Sequence, residues 1–247
     1  MTKTPKKICF DGKKCDIIKN NKKRRNMGKL IAKTAAVTLS VCLAAAIIIF
    51  TLIALFSPGT MSDFAAELGA YRASAYFQQT AYNRNKTLDN LDRLVQLSVL
   101  AEKDGFVVKY TEILIEDKKF DEYAEQKDAS QSADVLGGYA DFVYGNYAVS
   151  LYRTKKYGEA FEAAKQTAKT TYRKNNSMQY YIYALADKKD YPRMEEAALY
   201  LENLYWYLDA EQGQTGEKRD AALDIVFLYD AAGKAEEAAE WLARIEE

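Results

Sequence analysis

Between Thr34 and Phe56 the chain reads TAAVTLSVCLAAAIIIFTLIALF, with no charged residue, directly after a strongly basic stretch. A helix rises about 1.5 Å per residue, so this run reaches about 34 Å, enough to cross a hydrocarbon core of about 30 Å with modest tilt. A helix buried in a water-soluble core seldom stays apolar on every face for so long. The run therefore divides the chain into a basic tail (1–33), a transmembrane helix (34–56), a short linker (57–61) and a polar segment (62–247).

The formal charge of the whole chain is zero, but its distribution is not even. Residues 1–33 hold twelve Lys or Arg against Asp11 and Asp16, near +10, which leaves the remainder near −10. Lys22, Lys23, Arg24, Arg25, Lys29 and Lys33 lie just before the span, whereas SPGTMSDFAAE follows it. The excess of cations predicts a cytoplasmic N-terminus and an extracytoplasmic C-terminal segment of a single-pass cell-membrane protein. The same cations suit contact with anionic lipid headgroups, each contributing about 1 kcal/mol. A cleaved secretory signal has a shorter apolar run, about 7 to 15 residues, and ends in a small-x-small pattern; here the basic region is long and the apolar run closes on Leu55-Phe56-Ser57-Pro58. Leu39-Ser40-Val41-Cys42 departs from a bacterial lipoprotein box, because Val41 stands where a small residue is needed.

The three cysteines are Cys9, Cys15 and Cys42, so the segment beyond the span has none and no disulfide can staple it. Cys9 and Cys15 lack the second pair that a structural zinc site needs, and the chain contains no His. His-based triads, His-ligated zinc and thiol nucleophiles are thereby excluded beyond the span. Glu112 and Glu116 lie four apart on one helix face, where solvated carboxylates are common, whereas glycosidic chemistry places its two carboxylates across a cleft. Gly137-Gly138 reads as a turn or helix irregularity rather than a phosphate loop, and the negative charge of the outer segment disfavours nucleic acid. Asn85-Lys86-Thr87 and Asn175-Asn176-Ser177 fit the short N-glycosylation pattern. No cofactor is expected.

Past Pro58-Gly59 the only proline is Pro192, good helix formers dominate, and apolar residues recur at helical spacing, so the outer segment is predicted to be all-α. Its roughly 190 residues suffice for a continuous core. A pair of helices is expected from Ser62 to about Ala81 and from Thr87 to about Lys103. Three stretches then align in register: YGNYAVSLYRTKKYGEAFEAAKQ from Tyr144, MQYYIYALADKKDYPRMEEAALYL from Met178 and ALDIVFLYDAAGKAEEAAEWLARI from Ala222. Tyr157, Tyr191 and Ala235 occupy the same point after the turn, and Tyr157 and Tyr191 are 34 residues apart. A weaker copy, VVKYTEILIEDKKFDEYAEQ from Val107, puts Phe120 at that point.

This pattern resembles the tetratricopeptide repeat (TPR), a helix-turn-helix unit of about 34 residues. Ala160 and Ala238 match the family's small residue three beyond the turn position, with Met194 in the middle copy. Departures are the missing terminal Pro, large residues at the small position of the first helix, and the insertion DAEQGQTGEK. The clearest copies are expected at about 141–174, 175–208 and 219–247, and the weaker one at 105–128. Stacked hairpins share their apolar faces, which makes Tyr147, Leu151, Tyr181, Leu185, Ile225 and Tyr229 core candidates.

In TPR-like stacks the first helix of each repeat lines a concave face. The resemblance thus implies a groove of Phe142, Val149, Tyr152, Arg153, Gln179, Tyr183, Asp187, Leu223, Phe227 and Asp230. The Lys and Asn pattern with which some TPR domains clamp a peptide's terminal carboxylate is not reproduced at these positions. The expectation is a membrane-anchored scaffold or adaptor for protein or peptide partners, in envelope assembly or secretion. Two other classes stand beside it: a carboxylate-dependent glycan-active enzyme, in which tyrosines stack sugars, and a sensory or regulatory membrane protein that signals through the span to the tail with Cys9 and Cys15.

Overall fold

In the computed structural model, residues 12–130, 138–166, 177–210 and 215–246 are described; Cys9, Gly137, Asn175 and Asn176 lie outside them, as do parts of the expected copies 141–174 and 175–208 and of the insertion DAEQGQTGEK. The described residues form twelve α-helices and no strand. The chain divides into two units, Met1–Thr60 and Met61–Glu247.

The first unit is dominated by α1 (Gly12–Phe56), a single helix of 45 residues. Its part Leu30–Phe56 is long and apolar enough to cross a membrane and has none of its most apolar window buried. Hydroxyls along it are satisfied within the helix: Thr34 donates to the Leu30 carbonyl at 3.0 Å, Ser40 to Ala36 at 2.9 Å and Thr51 to Ile47 at 2.8 Å. This is what an apolar surrounding demands of a polar side chain. Lys22, Lys23, Arg24, Arg25 and Lys29 all fall on α1, and Lys33 is exposed. α2 starts at Pro58, a residue whose fixed φ suits the first helical position, so only Ser57 of the linker expected at 57–61 is outside a helix.

Beyond α2 (Pro58–Glu67), the second unit holds α3 (Tyr71–Arg84), α4 (Leu88–Leu100), α5 (Asp104–Ile115), α6 (Phe120–Ser130), α7 (Tyr139–Arg153), α8 (Tyr157–Lys165), α9 (Ser177–Lys188), α10 (Tyr191–Ala210), α11 (Thr215–Ala231) and α12 (Ala235–Glu246). The helix expected from Ser62 to Ala81 is broken at Gly69, whose φ of 71° ends α2.

Five connections among the described residues of this unit share one geometry. Gly69, Glu102, Lys155, Lys189 and Gly233 each adopt a left-handed conformation, with φ between 52° and 75°. In each turn the next residue donates its amide to the carbonyl five back: Ala70 to Ala65, Lys103 to Ser98, Lys156 to Leu151, Asp190 to Leu185 and Lys234 to Tyr229, all at 2.8–3.0 Å. The left-handed residue donates three back, as Lys155 does to Tyr152 at 2.9 Å. These paired bonds satisfy carbonyls that a helix end leaves open and reverse the chain sharply.

The same register organises the core. Eight residues before the left-handed position stand Met61, Leu94, Tyr147, Tyr181 and Ile225, and five after it Ser74, Val107, Ala160, Met194 and Ala238; all ten are buried. The hairpins are therefore α2–α3, α4–α5, α7–α8, α9–α10 and α11–α12. From Gly69 to Glu102 is 33 residues and from Lys155 to Lys189 is 34. The α5–α6 connection, inside the copy expected at 105–128, lacks a left-handed residue; the recurring turn falls at Glu102 instead. α6 lies between two hairpins, held by Tyr123, whose single hydroxyl proton is shared between Asp89 at 2.9 Å and Asp92 at 3.0 Å, and by Lys127 at 3.1 Å from Asp92.

Each hairpin's second helix packs on the next hairpin's first: α3 on α4, α5 on α7, α8 on α9 and α10 on α11. First helices also meet, α7 with α9 and α9 with α11. The tyrosines fill this core while their hydroxyls reach polar partners at its edge. Tyr147 donates to Glu112 at 3.0 Å, Tyr152 to Asp190 at 2.9 Å and Tyr229 to Glu202 at 2.6 Å. Of the six core candidates, Tyr147, Leu151, Tyr181, Leu185 and Ile225 are buried and Tyr229 is half-buried.

Candidate functional site

A cleft of about 390 Å³ opens across three helices of the second unit, α4, α7 and α9, with the α4–α5 turn at one end. Five sequence candidates line it: Val149, Tyr152 and Arg153 from α7, and Tyr183 and Asp187 from α9. These positions converge because α7 and α9 run side by side at close range. Gly145 makes that approach possible: a Cβ there would stand 2.7 Å from Cδ2 of Tyr180, so the Tyr180 ring rests against α7. Val99, Glu102 and Asp104 form the opposite wall.

Charges in the cleft are largely matched. Asp104, in the first turn of α5, accepts from Ser150 Oγ at 2.9 Å and lies 3.6 Å from Arg153 Nη1. Asp187 lies 2.8 Å from Lys188 Nζ. Lys188, and secondarily Arg153, hold the Asp187 carboxyl below the usual carboxylate range. Tyr152 is 7% exposed, so its ring is structural, and its hydroxyl donates to Asp190 while Arg193 braces Asp190 at 2.7 Å and 3.0 Å. Burial, aided by that hydrogen bond, pushes the Tyr152 phenol up to about 12. Tyr183 is the opposite case: it is 54% exposed, with its ring edge-on to Phe227 at 5.1 Å.

The other five candidates are placed differently. Phe142 is half-buried and packs against the Leu91–Leu94–Tyr110 core cluster. Gln179 donates to Asp224 at 3.4 Å, tying α9 to α11. Leu223 and Asp230 are exposed on α11, and Phe227 reaches the cleft only through Tyr183. Sequence reasoning missed Glu102, Asp104, Asn146, Ser150, Tyr180 and Lys188. The signal for the α4–α5 wall was present: Leu94, Glu102 and Val107 repeat the spacing of Tyr147, Lys155 and Ala160.

Chemically, the cleft offers aromatic surface, amide and hydroxyl groups, and paired charges. A general acid needs a carboxyl held above its ordinary range, and Asp187 is shifted the other way. Ser150 Oγ faces a carboxylate already shared with Arg153. Glu112, engaged by Tyr147, is absent from the lining, and no group of three or more metal-ligating side chains occurs among the described residues. No protein-family model matches the chain, and neither the curated proteins nor the solved structures yield a match.

Proposed function

We propose that this chain is a single-pass cell-membrane protein whose extracytoplasmic, TPR-like helical solenoid binds a partner protein in the cleft along its first helices. The observation that carries the reading is the convergence of Val149, Tyr152, Arg153, Tyr183 and Asp187 on one cleft. Five hairpins with one turn geometry, two of the intervals being 33 and 34 residues, support the repeat architecture. The apolar Leu30–Phe56, following a tail near +10, supports the tether and its orientation.

Anchoring confines the cleft to the membrane's neighbourhood and raises its effective concentration for envelope or secreted partners. An exposed Tyr183 beside a fixed Tyr152 suits recognition: one ring is available for contact and the other holds the wall rigid. A photoreactive residue at Tyr183, introduced into the full-length protein in cells, is expected to capture a partner, whereas one at Tyr207, exposed on α10, is expected not to capture the same product. Equal capture at both positions, or none at Tyr183, contradicts the proposal.

A further inference from the structure

Among the residues lining the cleft, Glu102, Asp104 and Asp187 stand against Arg153 and Lys188, leaving one negative charge in excess. Arg153 is taken up by Asp104, and Lys188 by Asp187. Glu102 is exposed, and among the described residues its carboxylate makes no ion pair. Its backbone is left-handed, φ 52°, at a turn position where the sister hairpins have Gly69, Lys155, Lys189 and Gly233. A side chain there costs conformational energy that glycine avoids, and Lys155 and Lys189 show that the turn accepts long charged residues. Tyr180 and Tyr183 line the same cleft and supply aromatic surface. Carboxylate and aromatic faces together are the chemistry that recognises an ammonium or guanidinium.

We propose that the cleft selects an extended segment of a partner protein through a lysine or arginine side chain, whose charged head meets Glu102 and whose stem lies along Tyr180 and Tyr183. This rests on the reading of the cleft as a binding site and names what it binds. The charge of residues 34–247, near −10, favours the approach of a basic segment. A peptide rather than a small amine is specified because the cleft is read as a protein-binding site and its aromatic surface continues beyond it, from Tyr183 to Phe227 on α11.

The test uses full-length protein in lipid nanodiscs and fluorescence anisotropy with two labelled nonapeptides, one alternating lysine with serine and the other glutamate with serine. The lysine peptide is expected to bind, and the glutamate peptide at least about tenfold more weakly, the equivalent of one charge-assisted contact. Glu102→Gln and Glu102→Gly are both expected to weaken the lysine peptide by about tenfold. Glu102→Gly separates binding from folding, since glycine relieves the left-handed backbone and is expected to keep or raise the melting temperature. No binding of the lysine peptide, equal binding of both peptides, unchanged binding in Glu102→Gly, or displacement by spermidine at equal amine concentration overturns the inference. If Tyr183 still captures a partner in cells, the basic preference alone has failed; if it captures none, the binding reading fails as well.

Discussion

From Leu30 to Phe56 apolar side chains surround one helix on every side, with Leu39 72% and Ile48 60% exposed. Between Met61 and Glu247 they gather instead on inward stripes, where Leu94, Leu151 and Leu185 are fully buried. Both regions are helical and rich in Leu, Ile and Ala, so composition does not separate them. Arrangement does: the first pattern is stable only where the surroundings are apolar, and the second creates its own apolar interior in water. The hairpin turns belong to the second region because a stripe needs a partner stripe, and a sharp reversal supplies one at once.

Truncation is the strongest way to test that contrast. Leu151→Ala is expected to destabilise the hairpin unit by about 2–5 kcal/mol, because a fully buried leucine leaves a cavity, whereas Leu39→Ala is expected to leave its denaturant midpoint unchanged. Similar midpoints for the two variants would break the comparison. A charge probes the other side. Ile48→Arg is expected to cost about 3 kcal/mol of membrane insertion and to raise the carbonate-extractable fraction, with the hairpin unit still folded.

Smaller effects sharpen the account of the cleft. Gly145→Ala drives a methyl into the Tyr180 ring and is expected to cost about 1–3 kcal/mol by urea unfolding. An unchanged midpoint would show that α7 and α9 are not held at the separation described. Lys189→Gly, at φ 53°, is expected to stabilise by about 1 kcal/mol, seen as a small rise in melting temperature.

The helices from α7 onward were legible because aromatic or small residues mark their turns: Tyr157, Tyr191 and Ala235 each stand two beyond the left-handed residue. The α4–α5 hairpin was not read as a copy, since Ala101-Glu102-Lys103-Asp104 has no glycine, proline or aromatic residue to announce a reversal. Its turn is set by backbone hydrogen bonds from Glu102 and Lys103, which leave little trace in residue type. That omission hid one wall of the cleft. Of the residues named for a concave face, Val149, Tyr152, Arg153, Tyr183 and Asp187 line the α7 and α9 side of the cleft. The concave-face pattern missed the fate of Phe142 because burial there depends on the Leu91–Leu94–Tyr110 cluster, far away in sequence.

The proposed tether and the proposed orientation of the hairpin unit meet in one measurement, protease accessibility of a C-terminal tag on the full-length protein in intact cells or spheroplasts. Removal of the tag from outside, with the residues before Leu30 protected until lysis, is the predicted result. Protection of the tag until lysis would contradict the account.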